Sequence, residues 1–189
     1  MTPRQLIAMM TVIQLAQNEE EFSSLLEVVR GSNSVLEIGS RYGESLRRFS
    51  EVCKPNSLLV SVDLGGYPKD VEINKVVDPV ESLKESGNLI AQKHTCHIIF
   101  GDSKESEVIE AVRKLGPYDF LFIDGDHSYE GVKADWNNYH EMAKIVAFHD
   151  IVGQPGCKQL WDEIKLPGFY VEYIAPQSLM GIGCLTQIR

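Results

Sequence analysis

The chain has 189 residues and a formal charge of −9, from 18 basic and 27 acidic side chains, and 43% of it is hydrophobic. That length suits one globular domain, and the acidic balance disfavours nucleic acid as a partner, because such binding rests on neutralising phosphates. Cys53, Cys96, Cys157 and Cys184 are scattered with no C-x-x-C, which argues against a disulfide framework or zinc cluster and fits a reducing, cytoplasmic setting.

The chain begins with helical periodicity. Leu6, Met9, Met10 and Ile13 recur at helical spacing, interrupted by Gln5, Thr11 and Gln14, so Leu6–Ala16 reads as an amphipathic helix and not a signal peptide. No run approaches the ~20 apolar residues of a membrane span. Phe22, Leu25, Leu26 and Val29 continue the helical pattern until Gly31 ends it. Residues 1–31 therefore read as a helical cover on a core spanning 32–189, the whole chain being one domain.

Val35 to Ile38 is a buried strand, running into the turn Gly39-Ser40-Arg41-Tyr42-Gly43 and a helix from Glu44 to Lys54. Leu58 to Asp63 is a second strand, and Gly65-Gly66-Tyr67-Pro68 breaks regular structure after it. Asp78-Pro79-Val80-Glu81 starts a helix with cap, proline and capping-box glutamate in order. His97 to Ser103 forms the third strand, Tyr118 to Asp124 the fourth and Ile145 to Asp150 the fifth, each followed by a helix. The tail, Phe169 to Ala175 and Gly181 to Ile188, reads as a hairpin. Five strand–helix alternations predict an α/β, Rossmann-like doubly wound parallel sheet with helices on both faces; the hairpin adds one antiparallel strand, for seven in all.

Ligands of such sheets sit beyond the carboxyl ends of the strands. Here those ends carry Gly39, Asp63, Asp102, Asp124 and Asp150. Gly39 and Gly43 bracket a turn that lets a ligand approach the main chain, and the helix start favours a negative group. The dinucleotide pattern G-x-G-x-x-G is absent, because Arg41 stands where its second glycine would be. Asp63 is placed to accept ribose hydroxyls, or to cap the turn that follows. Asp102 and Ser103 are placed to hold an adenine edge, or to cap the next helix.

Two motifs carry a resemblance. Glu37-x-Gly39-x-x-x-Gly43 resembles the first motif of class I S-adenosylmethionine-dependent methyltransferases. Asp124-Gly125-Asp126-His127-Ser128-Tyr129-Glu130-Gly131-Val132, followed by Phe148-His149-Asp150, is similar to a group of small O-methyltransferases that tailor cephalosporins and macrolide sugars (methyltransferase family 24-like). The resemblance runs from about Val35 to Arg189. It implies S-adenosylmethionine bound along Glu37, Gly39, Ser40, Arg41, Tyr42 and Gly43, then Asp63, Leu64, Asp102, Ser103 and Asp124.

It further implies a Mg²⁺ or other divalent metal on Asp124 and Asp150, with His149 as ligand or as a tethered neighbour. An imidazole there suits Mn²⁺ or Fe²⁺ better than Mg²⁺. His127, three residues past Asp124, stands where relatives carry a base, so His127 and Asp124 are the expected catalytic pair; a helix-start histidine satisfied by the backbone is the plainer alternative. The acceptor implied is a small hydroxylated molecule, with self-association of the chain as a further expectation. Before the fifth strand the family usually has a glycine-rich loop, whereas this chain reads Glu141-Met142-Ala143-Lys144. Two other readings stay open on sequence alone: a nucleoside-binding protein without catalysis, and a metal-dependent hydrolase built on the Asp/His cluster.

Overall fold

The structure is a computed structural model and describes residues 18–65, 70–72 and 75–186. The helix expected over Leu6–Ala16, and the tail beyond Thr186, lie outside the described residues. Helix α1 (Glu19–Val29) starts at Asn18, whose side chain accepts the amides of Glu20 and Glu21. Three glutamates in its first turn complement the helix dipole.

The elements that follow are β1 (Ser34–Ile38), α2 (Glu44–Val52), β2 (Leu58–Asp63), β3 (Asp70–Glu72), β4 (Lys75–Val77) and α3 (Pro79–Ile90). Next come β5 (Thr95–Phe100), α4 (Ser106–Leu115), β6 (Tyr118–Ile123), α5 (Tyr129–Tyr139) and a 3₁₀ turn (His140–Met142). The last are β7 (Ala143–Phe148), α6 (Pro155–Ile164), β8 (Tyr170–Tyr173) and β9 (Ile182–Thr186).

Seven strands form one sheet in the order β5-β2-β1-β6-β7-β9-β8. Strands β5, β2, β1, β6 and β7 are mutually parallel, whereas β9 runs antiparallel to both its neighbours. The expected doubly wound sheet with an inserted antiparallel strand is the one observed. Alternation along the strands feeds two cores. Leu36, Ile38, Leu121 and Ile123 face the layer built by α4, α5 and α6, with Val112, Val132 and Trp161. Val35, Phe120 and Phe122 face α1, α2 and α3, with Phe22, Phe49 and Ile90. Burial on both faces is why these strands read as apolar runs.

Three details differ from the sequence reading. The third strand starts two residues earlier, at Thr95, and stops at Phe100, leaving Gly101 to Ser103 as the loop that leads towards α4. Residues Glu141–Lys144 are not a loop. The 3₁₀ turn ends at Met142 and β7 begins at Ala143, whose small side chain is buried and which pairs with Tyr118 across the ladder. Strands β3 and β4 form a separate antiparallel pair inside the segment read as irregular. Three-residue strands carry too little periodicity to be read from a sequence.

Candidate active site

All the parallel strands deliver their carboxyl ends to one edge, and main-chain bonds carry the ladder one residue further. Gly39 N–H donates to the Val62 carbonyl (2.9 Å), Gly101 N–H to Asp63 (2.9 Å), Asp124 N–H to Ile38 (2.9 Å) and His149 N–H to Ile123 (3.2 Å). The residues expected to bind and react are thereby brought side by side.

The turn after β1 is left-handed at Gly39 (φ 88°), Arg41 (φ 47°) and Gly43 (φ 76°). A Cβ on Gly39 would lie 2.2 Å from the Asp124 carbonyl oxygen, so only glycine fits where β1 and β6 open. Beneath the turn sits Glu37, with no exposed surface. Its carboxylate accepts the hydroxyls of Ser40 and Ser45, and Ser61 Oγ donates to Ser40 Oγ at 2.7 Å. Burial pushes the Glu37 carboxyl up to about 8, the two serine hydroxyls opposing it. Glu37 therefore shapes the turn from below and does not face the open edge.

Asp63 does cap its turn. Oδ2 accepts Arg41 N–H at 2.7 Å and Oδ1 accepts Gly65 N–H at 2.8 Å, which ties the two glycine turns together. Each oxygen keeps acceptor capacity beyond that one amide. Leu64 and Phe100 flank it as exposed apolar side chains, at 62% and 40% exposure. Phe100 was not singled out from the sequence, because one aromatic at a strand end looks like core. The Arg41 guanidinium stacks on the Tyr42 ring, 4.8 Å from its centroid.

Asp102 accepts the amide of Lys104 at 2.9 Å, closing a turn ahead of α4; the residue at that helix's N-cap is Glu105, so Asp102 does not cap the helix. Ser103 turns inward: its hydroxyl donates to Asp135 on α5 (2.5 Å), while its carbonyl accepts the Tyr139 hydroxyl (2.7 Å). Asp135 is buried, which pushes its carboxyl up to about 6 against the pull of Ser103. Both the hydroxyl and the carbonyl of Ser103 are thus engaged by α5. Asp135, which nothing in the sequence pattern marks out, is the brace under that loop.

Asp124, His127, His149 and Asp150 meet where β6 and β7 end. His127 Nε2 lies 3.4 Å from Asp124 Oδ1 and 3.5 Å from Asp150 Oδ2. His149 Nδ1 lies 3.3 Å from the same two oxygens. Asp150 holds a left-handed backbone (φ 61°), a conformation aspartate tolerates better than most residues. Burial favours the neutral acid at Asp124, but the charges on His149 and His127 outweigh it and hold the carboxyl well below the usual carboxylate range. At His149 burial opposes a charge, yet Asp124 and Asp150 push the imidazole up to about 10. The hydrogen bond to Asp124 raises His127 against a smaller burial effect.

The donor atoms of Asp124, His127 and Asp150 all lie within 4.8 Å of one another, a set that could hold a metal ion. Two carboxylates and one imidazole suit a borderline divalent ion, and donor separations near 3.4 Å match ligands about 2–2.3 Å from a shared centre. His149 is the more buried imidazole, only 4% exposed, with Nε2 lacking a hydrogen-bond partner among the described residues. His127 thus joins the two carboxylates in the candidate donor set, while the more buried His149 stands against the same two oxygens, the place of the tethered neighbour that was one of the two expectations for it.

An open doubly wound sheet with a glycine turn after β1, a carboxylate at the end of β2 and an acidic edge defines a Rossmann-like domain of the class I methyltransferase type. A family model described as "Methyltransferase domain" matches residues 36–151, and the chain belongs to that family. Solved structures agree on the fold. An O-methyltransferase from Bacillus cereus in complex with SAH is 16% identical, with a TM-score of 0.62, over 97% of this chain and 88% of that one.

The O-methyltransferase TomG from Streptomyces achromogenes, in complex with SAM, is 15% identical with a TM-score of 0.60, over 96% and 86%. A TDP-rhamnose 3'-O-methyltransferase of calicheamicin biosynthesis is 16% identical with a TM-score of 0.62, over 98% and 95%. No curated protein matches the sequence. Belonging to that family makes the chain a methyltransferase, which sets aside the hydrolase reading.

Proposed function

We propose that the protein moves the methyl group of S-adenosylmethionine to a hydroxyl oxygen of a small molecule such as a sugar or secondary metabolite, with a divalent cation held by Asp124, Asp150 and His127. The observation that carries this reading is the convergence of those three donor sets on the strand edge that also presents Asp63 and the Gly39 turn. The cofactor lies across Gly39 to Gly43, with Asp63 on the ribose hydroxyls. Leu64 and Phe100 offer apolar surface to the base. The main chain of Asp102 and Ser103 meets its edge.

Methyl transfer is an in-line displacement, so holding sulfonium and acceptor oxygen in line supplies much of the rate. A cation, when bound, lowers the pKa of the acceptor hydroxyl and orients it. Asp124 and Asp150 concentrate negative charge there, and His149 stabilises both carboxylates from behind. A second use of His127 is favoured by its 37% side-chain exposure: in a cation-free enzyme Nε2 takes the hydroxyl proton, worth about 10²–10⁴-fold in rate. One nitrogen cannot serve as ligand and base together.

Calorimetric titration with the demethylated cofactor, followed by methyl transfer to a panel of sugars and catechols with Mg²⁺, Mn²⁺ or a chelator, tests the reading. Absence of cofactor binding at millimolar concentration removes it. Full activity after chelation removes the cation and leaves His127 as the base. The four cysteines are free, which supports a reducing cytoplasm. Exposed Phe169, Val171 and Ile174 at the sheet edge support self-association. Among the described residues no helix is long and apolar enough to cross a membrane.

A further inference from the structure

Glu21 on α1 is only 1% exposed, yet neither the cofactor turn nor the Asp/His cluster uses it. A buried carboxylate needs partners, and it finds them far away in sequence. Oε1 accepts the Ala175 amide at 2.8 Å and Oε2 the Gly181 amide at 3.2 Å, 154 and 160 residues downstream. Those two amides bracket the loop joining β8 to β9. Because β9 is antiparallel to both β7 and β8, strand β8 ends on the same edge as β7, and the loop stands over Asp150.

From that loop the carbonyls of Gly181 and Met180 accept the amides of Ile151 (3.3 Å) and Val152 (2.9 Å). The packing is close: a Cβ on Gly153 would lie 2.0 Å from the Leu179 carbonyl oxygen. These contacts grip the three residues directly after Asp150, whose left-handed φ of 61° persists only if its surroundings hold it.

We propose that Glu21 is a positioning residue for the active site: it fixes the 174–181 loop, which sets the turn at Asp150 and so aims that carboxylate at Asp124 and His127. The inference rests on the assignment of Asp150 to the cation site. An anchor without this role would stabilise the fold and leave the behaviour of Asp150 unchanged.

Glu21→Gln keeps the side-chain volume and one acceptor oxygen, but sets an NH₂ group against one of the two amides. Two measurements on the full chain decide. Amide hydrogen exchange at Ile151, Val152 and Gly181 is expected to quicken about tenfold or more in the variant, with β2 and α4 unchanged. Mn²⁺ affinity, titrated without acceptor, is expected to weaken about 10–100-fold, as for outer partners of metal ligands, while affinity for the demethylated cofactor stays within about twofold.

Exchange at Ile151 and Val152 within about twofold of wild type overturns the proposal. So does unchanged Mn²⁺ affinity in a variant whose loop has loosened. If the wild-type protein takes up no Mn²⁺, the cation reading fails and the positioning role falls with it; faster exchange in Glu21→Gln would then mark Glu21 as an anchor of the loop only. Should Glu21→Gln not fold, Glu21→Asp, which keeps both oxygens one methylene further back, is carried through the same measurements.

Discussion

Asp63 and Glu37 are both buried carboxylates at the cofactor turn, and they do opposite work. Asp63 binds main-chain amides on two turns and keeps one further acceptor site on each oxygen. Replacing it with alanine is expected to weaken binding of the demethylated cofactor by about 1–3 kcal/mol, the usual loss when hydrogen bonds to a charged acceptor go. Calorimetry that returns wild-type affinity would reduce Asp63 to a turn cap. Glu37 is sealed beneath the turn, and burial raises its carboxyl from 4.5 to about 8. A carboxyl raised in the folded state binds its proton more tightly there than when unfolded. Its stability contribution is complete below about pH 4.5 and is lost as pH rises through about 8. Glu37→Gln should remove that slope, so denaturation at pH 5 and at pH 8 should show a smaller stability difference than in wild type. An unaltered slope would mean that Glu37 is ionised in the fold.

At the scale of elements, the turn between β1 and α2 depends on one contact that periodicity cannot express. Gly39 has φ 88°, and its missing Cβ makes room for the carbonyl of Asp124 on β6. Gly39→Ala adds about 1–3 kcal/mol of left-handed strain and forces the two strand ends apart. Reduced stability in chemical denaturation together with lost cofactor binding is the expected pair of results. Stability lost with binding intact would show that the turn reshapes without harm. The same element scale explains the strand boundaries. Ala143 and Lys144 fall where the family resemblance implies a loop, and neither favours a strand, yet pairing with β6 draws Ala143 into β7. Strand pairing, a tertiary interaction, overrides weak local preference.

Over the whole molecule, the charge of −9 is uneven in consequence: Asp63 ends β2, Asp124 follows β6 by one residue and Asp150 follows β7 by two, all on the same edge. A divalent cation bound at Asp124, Asp150 and His127 in the folded state alone should raise stability by mass action, about 2.7 kcal/mol at a hundred times its dissociation constant. The melting temperature should therefore climb with added Mn²⁺ and fall back on chelation, and Asp150→Asn should abolish the climb. An equal rise in Asp150→Asn would place the ion elsewhere.

The sequence by itself determined the class of fold, because five apolar strands alternating with amphipathic helices have few ways to bury both faces of a sheet. It also determined which residues reach the edge, since Gly39, Asp63, Asp124 and Asp150 sit at strand ends whatever the packing. Tertiary structure decided what each does there. Whether Glu37 faces a ligand or the protein depends on Ser40 of the turn and Ser45 of α2 donating to it, with Ser61 of β2 holding Ser40. Which histidine joins the two carboxylates depends on which face of the sheet His149 points to. That Glu21 and Asp135 are tied to the edge at all follows from contacts between elements tens of residues apart or more. Local periodicity reports which side of an element is buried; only the assembled fold supplies the partner on the other side.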